Sequence, residues 1–122
     1  MVNFLDLYKN IMLALDDTLE EIYEQSKKDP HRSLYLSIIF QALLDASKPK
    51  QEKEDSQIRL QRDQAHAWFF SSVGVTCENF EFICDYAGLT PKTVRKFVYY
   101  VINHSTSANL IHIRKKITSL LG

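Results

Sequence analysis

Lys92, Thr93, Arg95, Lys96 and Tyr99 carry the chemistry most easily read from this sequence. A lysine ammonium is a compact point charge that pairs with an anion from any direction, whereas an arginine guanidinium is a planar fork that grips two acceptors at once. Threonine and tyrosine add hydroxyls that can donate to the same kind of partner. These are the materials of an anion-binding surface, and no acidic residue follows Asp85 to oppose them. Arg114, Lys115 and Lys116 extend the charge towards the C-terminal end. The formal net charge of zero conceals a division: residues 1–79 hold 9 Lys/Arg against 13 Asp/Glu, and residues 80–122 hold 6 against 2. Such asymmetry points to a polyanionic partner, although a run of this size is also what an ordinary solvated face carries.

Other chemistries find less support. Cys77, Cys84, His66, His104 and His112 are the soft ligands available, but they form no C-x2-C or H-x3-H pair, so no metal site is expected. Asp63 and His66 stand one helical turn apart without a nucleophile in a matching position, and an ion pair on a helix face is the ordinary outcome of that spacing. With only 3 Gly, no glycine-rich loop can cradle a phosphate. The expectation is a non-enzyme without cofactor. Cys77 and Cys84 are read as reduced, with Cys84 a small core residue. Asp6 interrupts any N-terminal apolar run and no stretch reaches the length of a membrane span, which predicts a cytoplasmic protein without membrane contact.

The elements that must position the basic residues follow from breakers and periodicity. Length and composition fit one unit, 45% apolar and 25% charged, and the scarcity of Gly and Pro predicts an all-α fold of about six helices. Residues 1–47 read as a helical hairpin. Its first helix runs from the cap Asn3 to about Lys28, with a heptad-like seam of Phe4, Tyr8, Ile11, Leu15, Thr18 and Ile22 that offers a dimerisation surface. Asp29 and Pro30 then cap and open a second helix that reaches about Ala46, with Leu34, Ile38 and Leu43 among its apolar positions. The acidic run from Asp16 to Glu24 is a solvated face. Residues 48–56, within the stretch SKPKQEKEDS, carry alternating charges and no apolar side chain, as a solvated linker does. The block 57–122 holds the rest. A helix over Asp55–Ser71 turns Ile58, Leu60, Ala65, Trp68 and Phe69 inward; a short helix over Cys77–Ala87 is capped by Thr76; the last two span Pro91–Asn103 and Ser107–Leu121.

Within this block, FEFICDYAGLTPKTVRKFVY (Phe80–Tyr99) has the order of a helix-turn-helix. Gly88 suits a turn that needs positive φ, Cys84 is small where two helices cross, and Ile83 and Ala87 form the first inner face. Leu89 plugs the turn, Val94 and Phe97 line the second helix, and Thr90 and Pro91 open it. The segment resembles the helix-turn-helix superfamily of DNA-binding proteins, and Leu60–Val101, including AHAWFFSS, resembles small phage-related and alphaproteobacterial DNA-binding regulators. Cys84 departs from the usual alanine. The resemblance implies that the second helix enters the major groove of double-stranded DNA, with Lys92, Thr93, Arg95, Lys96 and Tyr99 exposed towards it. Chemistry assigns Lys92 and Lys96 to phosphates, Arg95 to guanine O6 and N7, Thr93 to a base edge or phosphate and Tyr99 to a phosphate. Arg114, Lys115 and Lys116 would extend the basic face. So few cations imply a homodimer, and the resemblance implies a transcriptional regulator. The competing expectation is a helical protein-interaction module, an anti-activator or a phage assembly or terminase-like factor, in which the corner at Gly88 is only packing.

Overall fold

The structure is a computed structural model that describes residues 19–122. The chain is all-α, with six helices among the described residues: α1 (19–26 of it described), α2 (Pro30–Ala46), α3 (Ser56–Phe70), α4 (Val75–Ala87), α5 (Pro91–His104) and α6 (Ser107–Leu121). Of the expected seam, Phe4, Tyr8, Ile11, Leu15 and Thr18 lie outside the described residues, as does the start of the first helix at Asn3.

Local chemistry sets most boundaries. Asp29 accepts a hydrogen bond from the His31 amide at 2.9 Å and Pro30 occupies the first helical position, so α1 stops and α2 starts within three residues. Asp55 caps α3 through the Gln57 amide, and Thr106 caps α6 through the Asn109 amide. The expected cap at Thr76 is corrected. Thr76 lies inside α4, and Gly74 takes the N-cap at φ 91°, a conformation that side chains rarely adopt, so its backbone rather than a hydroxyl turns the chain.

The helices share one core. Leu19 of α1, Leu36, Ile39, Phe40 and Leu43 of α2, Phe69 of α3, Phe80, Ile83 and Cys84 of α4, Val94, Val98 and Val101 of α5 and Ile113 and Ile117 of α6 are all buried in it. α2 packs mainly on α4 and α3, α6 closes against α2, and α3, α4 and α5 pack on one another as a three-helix corner. Trp68 is half-buried and meets Phe69 and Phe80 edge-on at 5.1 and 5.0 Å, while its indole N–H donates to Asn79 Oδ1 at 2.8 Å. Phe69 and Phe80 are fully buried, each worth about 1.5–3 kcal/mol of transfer free energy.

Expected core positions of α3 face solvent instead. Leu60 is exposed because the inward stripe of α3 is Arg62, Ala65 and Phe69, and Ile58 is exposed where that stripe runs past its neighbours. On α2, where the sequence assigns no apolar position to a core, Leu34 and Ile38 are exposed and Leu36, Ile39, Phe40 and Leu43 turn inward. The charged stretch between α2 and α3 is not simply solvated. Arg62 and Glu54 are both buried and form a two-pronged ion pair, with Arg62 Nη1 2.9 Å from Glu54 Oε2 and Nη2 on Oε1. Lys48 pairs with Asp45 at 3.4 Å. The loop is thereby fastened to the first turns of α3.

Two outcomes follow. The Arg62 guanidinium holds the Glu54 carboxyl down to about 2. A carboxylate depressed on folding stabilises the protein above its unfolded pKa of about 4.3, and that stabilisation is lost as pH falls towards the folded value. Urea midpoints of the wild type should therefore drop steeply below pH 5, and E54Q, already weaker at neutral pH, should show a shallower drop; parallel profiles would remove Glu54 from the acid response. At the other end of the core, Gly88 stands at φ 76°, where an added Cβ would lie 3.0 Å from the Arg32 guanidinium. Gly88→Ala should cost about 1–2 kcal/mol in urea denaturation, and an unchanged midpoint would show that the turn relaxes freely.

Candidate nucleic-acid interface

The α4–α5 corner is built as its residues require. α4 ends on Gly88 in the left-handed conformation, whose amide donates to Asp85 O at 3.0 Å, and the Leu89 amide donates to Cys84 O at 2.9 Å. Cys84 is wholly buried at the crossing, and burial pushes its thiol up to about 12, so it is a packing residue rather than a nucleophile. Both cysteines are free and buried. Leu89 and Phe97 pack half-buried against the core, beside the buried Val94. Thr90 holds the N-cap position of α5 with extended backbone and Pro91 follows, but the Thr90 side chain makes no capping hydrogen bond.

The inward residues of α5, Val94, Val98 and Val101, leave an opposite stripe of Lys92, Lys96, Tyr99 and Asn103, all exposed, with Thr93 exposed beside it. Neither Lys92 nor Lys96 pairs with a carboxylate among the described residues. The Tyr99 ring is 53% exposed and meets His104 edge-on at 5.8 Å, with its hydroxyl at the far end of the ring. Lys115 is exposed on α6.

Three expected site residues are placed differently. Arg95 is half-buried, and its fork turns back across the corner: Nε donates to Phe69 O at 2.8 Å and Nη2 to Ser71 O at 3.2 Å. Its guanidinium lies 4.7 Å from the centre of the Phe80 ring, and Cys77 Sγ is 3.5 Å from Nη2. This corrects the expectation of a base-reading Arg95, since its Nε and Nη2 are turned back onto the end of α3 and the residue after it. Arg114 Nη1 donates to Leu44 O and to Ser47 Oγ, closing the C-terminal end of α2, and burial lowers its pKa. Lys116 pairs with Glu20 of α1. His66 also serves α2: its Nε2 lies 3.0 Å from Ala46 O, in place of the spacing-suggested pair with Asp63. Among the described residues no three His, Cys, Asp or Glu side chains gather where they could hold a metal ion, and no helix is long and apolar enough to cross a membrane.

One cation went unnoticed in the sequence. Arg32 of α2 lies against Gly88, and nothing in its neighbourhood along the chain signals that placement. A second unforeseen feature is aromatic. Phe82 and Tyr86, about half exposed on α4, stack at 4.4 Å, and Tyr35 of α2 lies 5.1 Å from Tyr86.

Removing Arg95 would strip the partners from two carbonyl oxygens at the end of α3. Arg95→Ala should destabilise the fold by about 1–3 kcal/mol, whereas the exposed Lys96→Ala should stay within about 0.5 kcal/mol. Paired urea melts decide it: equal stability of both variants would return Arg95 to the surface.

Searches against known protein families, curated proteins and solved structures return no match to this chain.

Proposed function

We propose that this chain is a non-catalytic protein that binds double-stranded DNA as a homodimer, with α5 in the major groove, and acts as a cytoplasmic transcriptional regulator. The observation that carries the reading is the outer stripe of α5: Lys92 and Lys96, exposed and in no ion pair among the described residues, beside Thr93 and Tyr99, on a helix that follows a glycine corner and contains no acidic residue. A surface helix without function commonly mixes both signs; one that is only basic is suited to a phosphate-lined groove. Lys92 and Lys96 act on phosphates. With Arg95 engaged in the fold, base reading falls to Thr93 near the start of the helix, and Tyr99 supplies a hydroxyl to the backbone.

The homodimer follows from magnitude. Two or three lysines per chain neutralise too few phosphates for useful affinity, and a second copy doubles them. The protein-interaction reading keeps one specific support, the exposed Phe82 and Tyr86 against the partly buried Tyr35, since aromatic rings left half in water are common where a partner docks.

Fluorescence anisotropy with a pool of short duplexes over a salt series tests the proposal. Binding should weaken steeply with salt, and the Lys92→Ala/Lys96→Ala double variant should bind every sequence more weakly, with a log–log salt slope shallower by about 1.8 per protomer. Absence of binding at low salt would discard the DNA reading in favour of a protein partner.

A further inference from the structure

On the side of α6 away from the core, two clefts join across Pro49 and Leu110. One, of about 480 Å³, lies between Pro49 and the outer face of α6; the other, of about 330 Å³, lies between residues 46–50, α3 and the end of α5. Both fall in the size range of small-molecule sites. Their floor is aliphatic, formed by Pro49, Ile102, Leu110 and Ile111, and Ile111 is 52% exposed.

The charge around this floor is one-sided. Lys48, Lys50, Arg62, Arg114 and Lys115 line the two clefts, and among the described residues no Asp or Glu does. Lys48 and Arg62 are neutralised from outside, by Asp45 and Glu54. Lys50 and Lys115 form no ion pair among the described residues, and Arg114 donates to a carbonyl and a hydroxyl with the Asp45 carboxylate acting on it from nearby. The clefts therefore offer an aliphatic surface edged by cations, of which Lys50 and Lys115 have no carboxylate partner among the described residues. A nucleic-acid backbone satisfies the cations but has nothing to lay on Ile111 and Leu110; an uncharged apolar molecule does the reverse.

We infer that the joined clefts bind a small amphipathic anion, an aliphatic body with a carboxylate or phosphate head, the body lying on Leu110 and Ile111 and the head meeting Lys50, Arg114 or Lys115. The inference stands apart from DNA binding by α5, because Lys92, Lys96 and Thr93 take no part in the clefts.

Isothermal titration of the full chain with decanoate, below its micellar range, tests this, with 1-decanol as the uncharged control and a short duplex as competitor. Decanoate should bind, 1-decanol clearly less well. Lys50→Glu, in an exposed loop, should weaken decanoate about tenfold while leaving 1-decanol unchanged, a difference of about 1.4 kcal/mol. Ile111→Asp should weaken both. Circular dichroism of each variant, matched to the wild type, keeps misfolding out of the comparison. Equal affinity for decanoate and 1-decanol, or no binding of either, overturns the proposal. Displacement of decanoate by the duplex, together with loss of duplex affinity in Lys50→Glu, also overturns it and makes these cations part of a nucleic-acid surface.

Discussion

The C-terminal ends of α2 and α3 both point their last carbonyl oxygens towards other parts of the protein, and a buried carbonyl without a donor costs more than a hydrogen bond returns. Each end is closed by an arginine from the basic part of the chain: Arg114 on Leu44 O and Arg95 on Phe69 O and Ser71 O. His66 joins Arg114 by serving Ala46 O. The cationic side chains also oppose the negative end of each helix dipole. The rest of the arrangement depends on these closures. Arg95 holds the start of α5 against the end of α3 and so sets how the corner at Gly88 stands on its neighbours. Arg114 ties α6 to α2, so the last helix is fastened to the second.

That constraint explains which parts of the fold were legible in the residues. Where a structure is decided by neighbours along the chain, the sequence sufficed. Asp29 followed by Pro30 set a helix start, Gly88 set a left-handed turn, and Ser107–Leu121 was bounded by its own cap. The small Cys84 and the inner residues Ile83, Ala87 and Val94 could be placed because a helical period fixes a face once its ends are known. Where a distant partner decides, the residues were silent. Arg95 and Lys96 are adjacent and similar in chemistry, yet one is bound to carbonyls twenty-six residues or so away and the other faces water. The helical period puts Lys96 opposite the inward valines and Arg95 at their edge, but what Arg95 binds depends on where α3 ends in space. The same holds for Glu54 and Arg62: in a stretch of mixed charge, only packing shows that this one pair is withdrawn from solvent. Thr76 misled for a related reason, a hydroxyl before a helix being a good cap only if the chain has not already turned at Gly74.

Redistribution of charge has a second effect. The C-terminal block looks uniformly basic along the sequence, but in the fold its arginines face inward, Lys116 pairs with Glu20, and Lys92, Lys96 and Lys115 face outward. Guanidinium groups suit interior carbonyls because their planar donors remain charged at low hydration, whereas ammonium groups are better kept in water. The result is two separate cationic surfaces, a narrow stripe on α5 and the margin of the clefts beside α6, while the acidic Glu78, Glu81 and Asp85 stay on the exposed side of α4. The stripe on α5 is small, which is why the proposed DNA contact leans on a second copy.

The closure of α2 by Arg114 joins residues seventy positions apart, across the whole of α3, α4 and α5. In terms of inheritance, this sets how the chain can be recombined. A corner of two helices on a third is the sort of unit that gene fusion moves from one protein to another, but here the segment that follows the corner also completes the one that precedes it. A cut between α2 and α3, or just before α6, would leave α2 ending on bare carbonyls. Descent should therefore carry α2 and α6 together, and exchange of either alone would be selected against however well the corner between them were preserved.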